Sequence, residues 1–111
     1  MTTTTPTAIV EYKFIENTES TQVTATSKTI LDAVAVTNSS AAAATFSISL
    51  VVNGDAAGNV NRAIVDRLVR VGETYLCADV IGQVLETGDF ISAISDTASA
   101  LNIRVTARVI T

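Results

Sequence analysis

Leu101-Asn-Ile-Arg-Val-Thr-Ala-Arg-Val-Ile-Thr111 is the stretch that decides the fold. Leu101, Ile103, Val105, Ala107 and Val109 share one parity, and Asn102, Arg104, Thr106 and Arg108 share the other. Successive strand side chains point to opposite faces, so this is a strand with one dry and one wet side. Ile110 is the break in the pattern, one residue from the last.

Working outward, the same period recurs. Thr45-Phe-Ser-Ile-Ser-Leu-Val-Val52 sets Phe46, Ile48, Leu50 and Val52 inward and Thr45, Ser47 and Ser49 outward. Residues 8–15 alternate Val10, Tyr12 and Phe14 against Ile9, Glu11 and Lys13. Residues 21–26 read as a short polar edge strand, and 29–38 as a strand with Val34 and Val36 inward. Phe90–Ser95 precedes the turn that leads into the final strand. Residues 62–71 are two-sided: Ile64, Leu68 and Val71 fit a helix stripe, while Val65, Val69 and Val71 fit a bulged strand. β-branched content favours the strand.

The connections carry turn chemistry. Asn38-Ser-Ser-Ala-Ala-Ala-Ala44 holds four alanines, but the run is too short to nucleate a helix alone and reads as a tight connection. Asn53–Asn61 is a long Gly/Asn/Asp loop. Val71-Gly-Glu-Thr-Tyr75 and Glu86-Thr-Gly-Asp-Phe90 repeat one device, a glycine and an acid before an apolar residue that opens a strand. Ala78–Leu85 is expected to hold a helical turn capped near Asp79. About eight short strands spaced by turns predict one all-β domain over 8–111, an antiparallel β-sandwich of jelly-roll or immunoglobulin-like form. Residues 1–7, Thr-rich through Pro6, are expected to form an extended N-terminal arm. They hold neither a cationic side chain nor an apolar run, so no signal peptide is expected there.

Composition fits such a fold and removes most chemistry. Of the residues 48% are hydrophobic but only 5% aromatic; Val, Ile, Ala and Thr dominate, which suits a pleated surface and suggests thin, closely packed layers. A net charge of −4, with seven Lys and Arg dispersed among eleven acids, argues against a nucleic-acid partner. No apolar run approaches the ~20 residues of a membrane helix, so no membrane partner is expected. The single cysteine, Cys77, is expected to be a buried small apolar residue.

The chain contains no histidine, the commonest general base and metal ligand. Neither a Ser-His-Asp site nor a zinc site can therefore be assembled from the usual parts. Lys13 and Lys28 lie far from any glycine-rich loop that would cradle phosphate. Glu73, Glu86, Asp89 and Asp96 lie near turns and are expected to shape them. The Asn53–Asn61 loop lacks the acid spacing of a calcium loop. No catalytic residue, cofactor or metal is expected, and the chain is expected not to be an enzyme. Arg62, Arg67, Arg70, Arg104 and Arg108 read either as solvated strand faces or as subunit contacts, since arginine is enriched at interfaces.

Val34–Ser40, Ala44–Val52, Val71–Tyr75, Ile81–Ile91 and Ala100–Val105 together resemble small β-sandwich virion proteins of tailed bacteriophages. In those, an Asn-Ser/Thr-Ser turn separates two strands, and Gly-Glu-Thr and Gly-Asp turns open two later ones. The resemblance covers roughly residues 30–111. It implies a structural role: a capsid decoration or cement protein bound to neighbouring shell subunits, or a collar, tail or baseplate component. An immunoglobulin-like binding module on the virion surface is the other alternative. It further implies a homo-oligomer, the major capsid protein as partner, and a virion assembled in the host cytoplasm. The candidate subunit contacts are Thr3, Thr4, Thr5 and Pro6 in the arm, which could add a strand to a neighbour, and Arg104 and Arg108 on the last strand.

Overall fold

In the computed structural model, which describes residues 2–111, the chain forms nine strands and no α-helix among those residues. They are β1 (Thr4–Phe14), β2 (Ser20–Thr24), β3 (Lys28–Asn38), β4 (Ala44–Val51), β5 (Arg62–Val69), β6 (Thr74–Leu76), β7 (Val84–Leu85), β8 (Phe90–Ser95) and β9 (Leu101–Ile110). Every pairing is antiparallel. One sheet runs β1-β9-β3-β6, with β7 continuing the β6 edge along β3; the other runs β2-β8-β4-β5.

With β6 and β7 counted as one broken strand, the first element pairs with the last, the second with the next to last, and so inward to β4 and β5. A long ribbon of that kind, rolled so that β9 meets β3 and β8 meets β4, is a jelly roll. The topology therefore selects the jelly roll over the immunoglobulin-like arrangement.

The core is the inner face of both sheets. Leu101, Ile103, Val105 and Ala107 of β9 are fully buried, as their parity requires, and face Phe46, Ile48, Ile91 and Ala93 across the sandwich. Val34 and Val36 lie inward as expected, and Val10 is the buried residue of β1. Tyr12 and Phe14 are exposed instead, because two bulges in β1 shift its register against β9.

Strand β4 departs from simple alternation. Phe46 and Ile48 point inward, but Ser47, Ser49 and Val51 on the other face are buried too, and Val52 is exposed. The strand is central in its sheet, and side chains of flanking strands close over its outer face. In β5 the bulged-strand reading fits, with different inward residues: Ile64 and Val69 are buried, while Val65, Leu68 and Val71 are exposed. Between Ile64 and Arg67 the strand carries one residue more than β4. The extra residue is accommodated at Asp66, whose φ is +44°. The Asp66 N–H donates to Ser47 Oγ at 2.9 Å, so the bulge keeps its hydrogen bond.

The turns behave as their composition suggests. Asp89 accepts from the amides of Asn53 (2.9 Å) and Glu86 (3.0 Å). Glu73 accepts from the Arg70 amide and Asp96 from the Thr45 amide, each at 3.0 Å. Asn38 is fully buried; its side chain donates to Val69 and Ala42 carbonyls and accepts from Ser40, which builds the connection to β4. The turn at Ala78–Val80 is a short 3-10 turn preceded by Cys77, with no side-chain cap. The Asp79 carboxylate instead accepts from Tyr75 Oη at 3.1 Å, so the expected Asp79 cap gives way to a side-chain contact.

Residues 4–7 are not a separate arm. Thr3 exchanges both backbone hydrogen bonds with Thr111, at 2.7 and 2.8 Å, and Thr4, Thr5, Pro6 and Thr7 continue that ladder opposite Ile110, Val109, Arg108 and Ala107. A polar threonine run holds its place through backbone pairing, which needs no apolar pattern. The first residue of the expected arm, Met1, lies outside the described residues.

Candidate interaction surface

The side chains that carry chemistry elsewhere are here spent on the fold. Of the four turn acids, Glu73, Asp89 and Asp96 hold backbone amides and Glu86 pairs with Lys28 at 3.5 Å, and no group of His, Cys, Asp and Glu among the described residues could hold a metal ion. In the Asn53–Asn61 loop, Asn61 accepts from the Gly58 amide and donates to the Ala56 carbonyl, so its amide closes the loop on itself. Cys77 is fully buried, and burial pushes its thiol up to about 12.

The outer face of the four-stranded sheet is tied down by a polar network. Arg62 of β5 donates to Ser49 Oγ at 2.9 Å and to Glu19, while Ser92 Oγ donates to Glu19 Oε2 at 2.6 Å. The Arg62 guanidinium holds the Glu19 carboxyl below the ordinary carboxylate range, against the burial that would raise it. At one side of the sandwich, Arg67 of β5 lies over the Tyr75 ring, 4.5 Å from its centre, and Tyr75 packs on Phe46 at 6.1 Å. Beside it an open groove of about 370 Å³ runs along Ala63–Leu68 to Asp79.

The outer face of the five-stranded sheet is different. Residues opposite one another in an antiparallel ladder share a face, so the register lays out rows across it. One row is Val84, Ile30, Arg108, Pro6. A second is Leu76, Ala35, Arg104, then Glu11 and Tyr12 together, two bulge residues opposite one. A third is Thr74, Thr37, Asn102, Phe14, with Thr37 and Thr74 hydroxyls bonded at 2.9 Å. Tyr12 is 75% exposed, Leu76 66%, Phe14 48% and Val84 45%, so large apolar groups rim both sides of a floor of Ala8, Ala33 and Ala35. Arg108 is paired to Asp32 at 2.9 Å; Arg104 is in no ion pair among the described residues.

The six sequence-derived contact candidates converge on this sheet. Thr3, Thr4, Thr5 and Pro6 lie along β1 and its approach, Arg104 and Arg108 on neighbouring β9, and all six are exposed. The apolar rim of Tyr12, Phe14, Leu76 and Val84 was not identifiable from periodicity, because it arises from bulges and from short strands aligned by β3.

The sheet edges are less suited to contact. Because Thr3 and Thr111 exchange both bonds, Thr5 and Thr7 bond inward and position 6 has its amide direction facing away from β9. Pro6 occupies that outward position, so it costs the sheet no bond and deprives the free edge of a donor. Two bulges follow it. On the other edges, β2 and β5 are bulged and the β6/β7 edge is interrupted. Such interruptions discourage strand addition.

No protein-family model matches the chain, and no curated protein sequence matches it. Among solved structures, a chain in the structure of infectious bursal disease virus Gx strain aligns with 99% of this chain and 37% of its own length, at 8% identity and a TM-score of 0.48. The present chain thus spans little more than a third of that neighbour, and a likeness of this size carries no functional weight.

Proposed function

We propose that this chain is a structural component of a virion, a decoration or cement protein that adheres to neighbouring shell subunits. The observation that carries the reading is the division of the surface. Glu73, Asp89 and Asp96 are spent on turn amides, while Tyr12, Phe14, Leu76 and Val84 stay exposed on one sheet face with Arg104 and Glu11. Exposed aromatics, aliphatics and arginine on a rigid face are the makings of an interface, not of a reaction centre. The turns at Asn38–Ser40, Gly72–Thr74 and Gly88–Asp89, which carry the resemblance to tailed-phage sandwich proteins, support the same reading.

Purified chain mixed with undecorated shells of a tailed bacteriophage and pelleted tests it. Saturable co-sedimentation is the expected result; chain that stays in the supernatant at every concentration overturns the reading.

A further inference from the structure

We infer that the outer face of the five-stranded sheet is a self-association surface, occupied by the same face of a second copy of this chain. The sheet edges are interrupted by Pro6, by bulges and by the β6/β7 break, so growth by strand addition is opposed. The face itself is large enough. Three strands about 4.8 Å apart with roughly ten residues at 3.3 Å each, and the five residues of β6 and β7 beside them, give ~550 Å² per copy, or ~1,100 Å² for a pair, above the roughly 1,000 Å² that a specific interface clears.

The rows are also self-complementary. A two-fold axis running along the strands between β3 and β9 lays β1 of one copy over β6 and β7 of the other. Tyr12 then meets Leu76, Phe14 meets Thr74, and Pro6 meets Val84, while the long Arg104 side chain lies over Ala35. Arg108 crosses toward the partner's Ile30, next to Asp32, its own ion-pair residue. Large groups thus meet small or apolar ones, and equivalent arginines are offset from each other. Two sheets packed face to face with strands near parallel is a common way to bury such surfaces. The inference rests on the adhesive reading of this face and deepens it: a second copy and a shell subunit would occupy the face in turn, and a test that contains no shell separates self-pairing from shell binding.

Two single variants, Tyr12→Cys and Leu76→Cys, test it. Both positions are exposed, and Cys77 is buried away from the face. In the pair, position 12 of one copy is three strand spacings, ~14 Å, to the side of position 12 of the other, and the same holds for position 76, so like positions do not meet. Facing sheets lie about 10 Å apart, too far for a direct disulfide, so the mixed variants are treated with a short bis-maleimide of about that span; a covalent species of twice 11.6 kDa is expected, and neither variant alone should give it. The pair Phe14→Cys and Thr74→Cys, one row over, should behave alike. No cross-link in either mixture, or equal cross-linking of the single variants alone, overturns the inference.

Discussion

Arg62 and Glu19, 43 residues apart in sequence, meet on the outer face of the four-stranded sheet and join β5 to the segment entering β2. Their side chains are 18% and 30% exposed, and Ser49 and Ser92 complete the contact. The network explains why two serines of apparently outward parity are buried.

Removing this contact has a pH signature. The Glu19 carboxyl is lowered in the folded state, chiefly by its hydrogen bond to Arg62. Its stabilisation is therefore present above the ordinary carboxylate value and is lost as pH falls through the lowered one. Glu19→Gln should cost about 1 kcal/mol at neutral pH, discounted for partial exposure, and should flatten the acid limb of a stability-against-pH curve from urea titrations. An unchanged acid limb would refute the assignment.

Gly88 has φ +91°, and a Cβ there would lie 2.5 Å from Asn53 Nδ2. Gly72 has φ +75° and open space around it. Gly88→Ala should therefore lower stability by about 2–3 kcal/mol and Gly72→Ala by about 1 kcal/mol, read as melting temperatures. Adding Asn53→Ala to Gly88→Ala should recover part of the loss. Equal costs at the two glycines would show that the Asn53 contact is immaterial.

The β5 bulge depends on Ser47 and Asp66. Ser47→Ala leaves the Asp66 amide without its partner and should cost about 1–2 kcal/mol. Asp66→Val should be worse than Asp66→Gly, because a β-branched residue resists φ +44°. Chemical denaturation of the three variants ranks them.

Cys77 should react only when the domain opens. Its thiol is buried and raised to about 12, first by burial and then by the charge of Asp79. Because the unfolded thiol ionises near its ordinary value, this group favours the folded state less as pH rises above that value. Labelling with a thiol reagent should be slow in buffer and accelerate with denaturant. Rapid native-state labelling would contradict the buried placement.

How legible all this was in the sequence depended on what sets each position. The β9 pattern survives because both of its neighbours pair with it and its wet face stays open. The turn acids were legible because glycine and carboxylate spacing is local. Ser47, Ser49 and Val51 were not, since their burial comes from Arg62, Glu19 and adjacent strands brought together only by the fold. Thr4–Thr7 escaped because backbone pairing leaves no apolar signature. Arg104 and Arg108 could be picked out as outward cations, but the Tyr12, Phe14 and Leu76 rim depends on bulges and cross-strand register.

Sedimentation equilibrium of the full chain, beside a Leu76→Asp variant, tests most directly whether the five-stranded face does the adhesive work. The expected result is a concentration-dependent rise to twice 11.6 kDa for the unaltered chain and loss of that rise in the variant, which should keep its β-sheet circular dichroism. An unaltered chain that remains at 11.6 kDa throughout, or a variant that still doubles its mass, would contradict it.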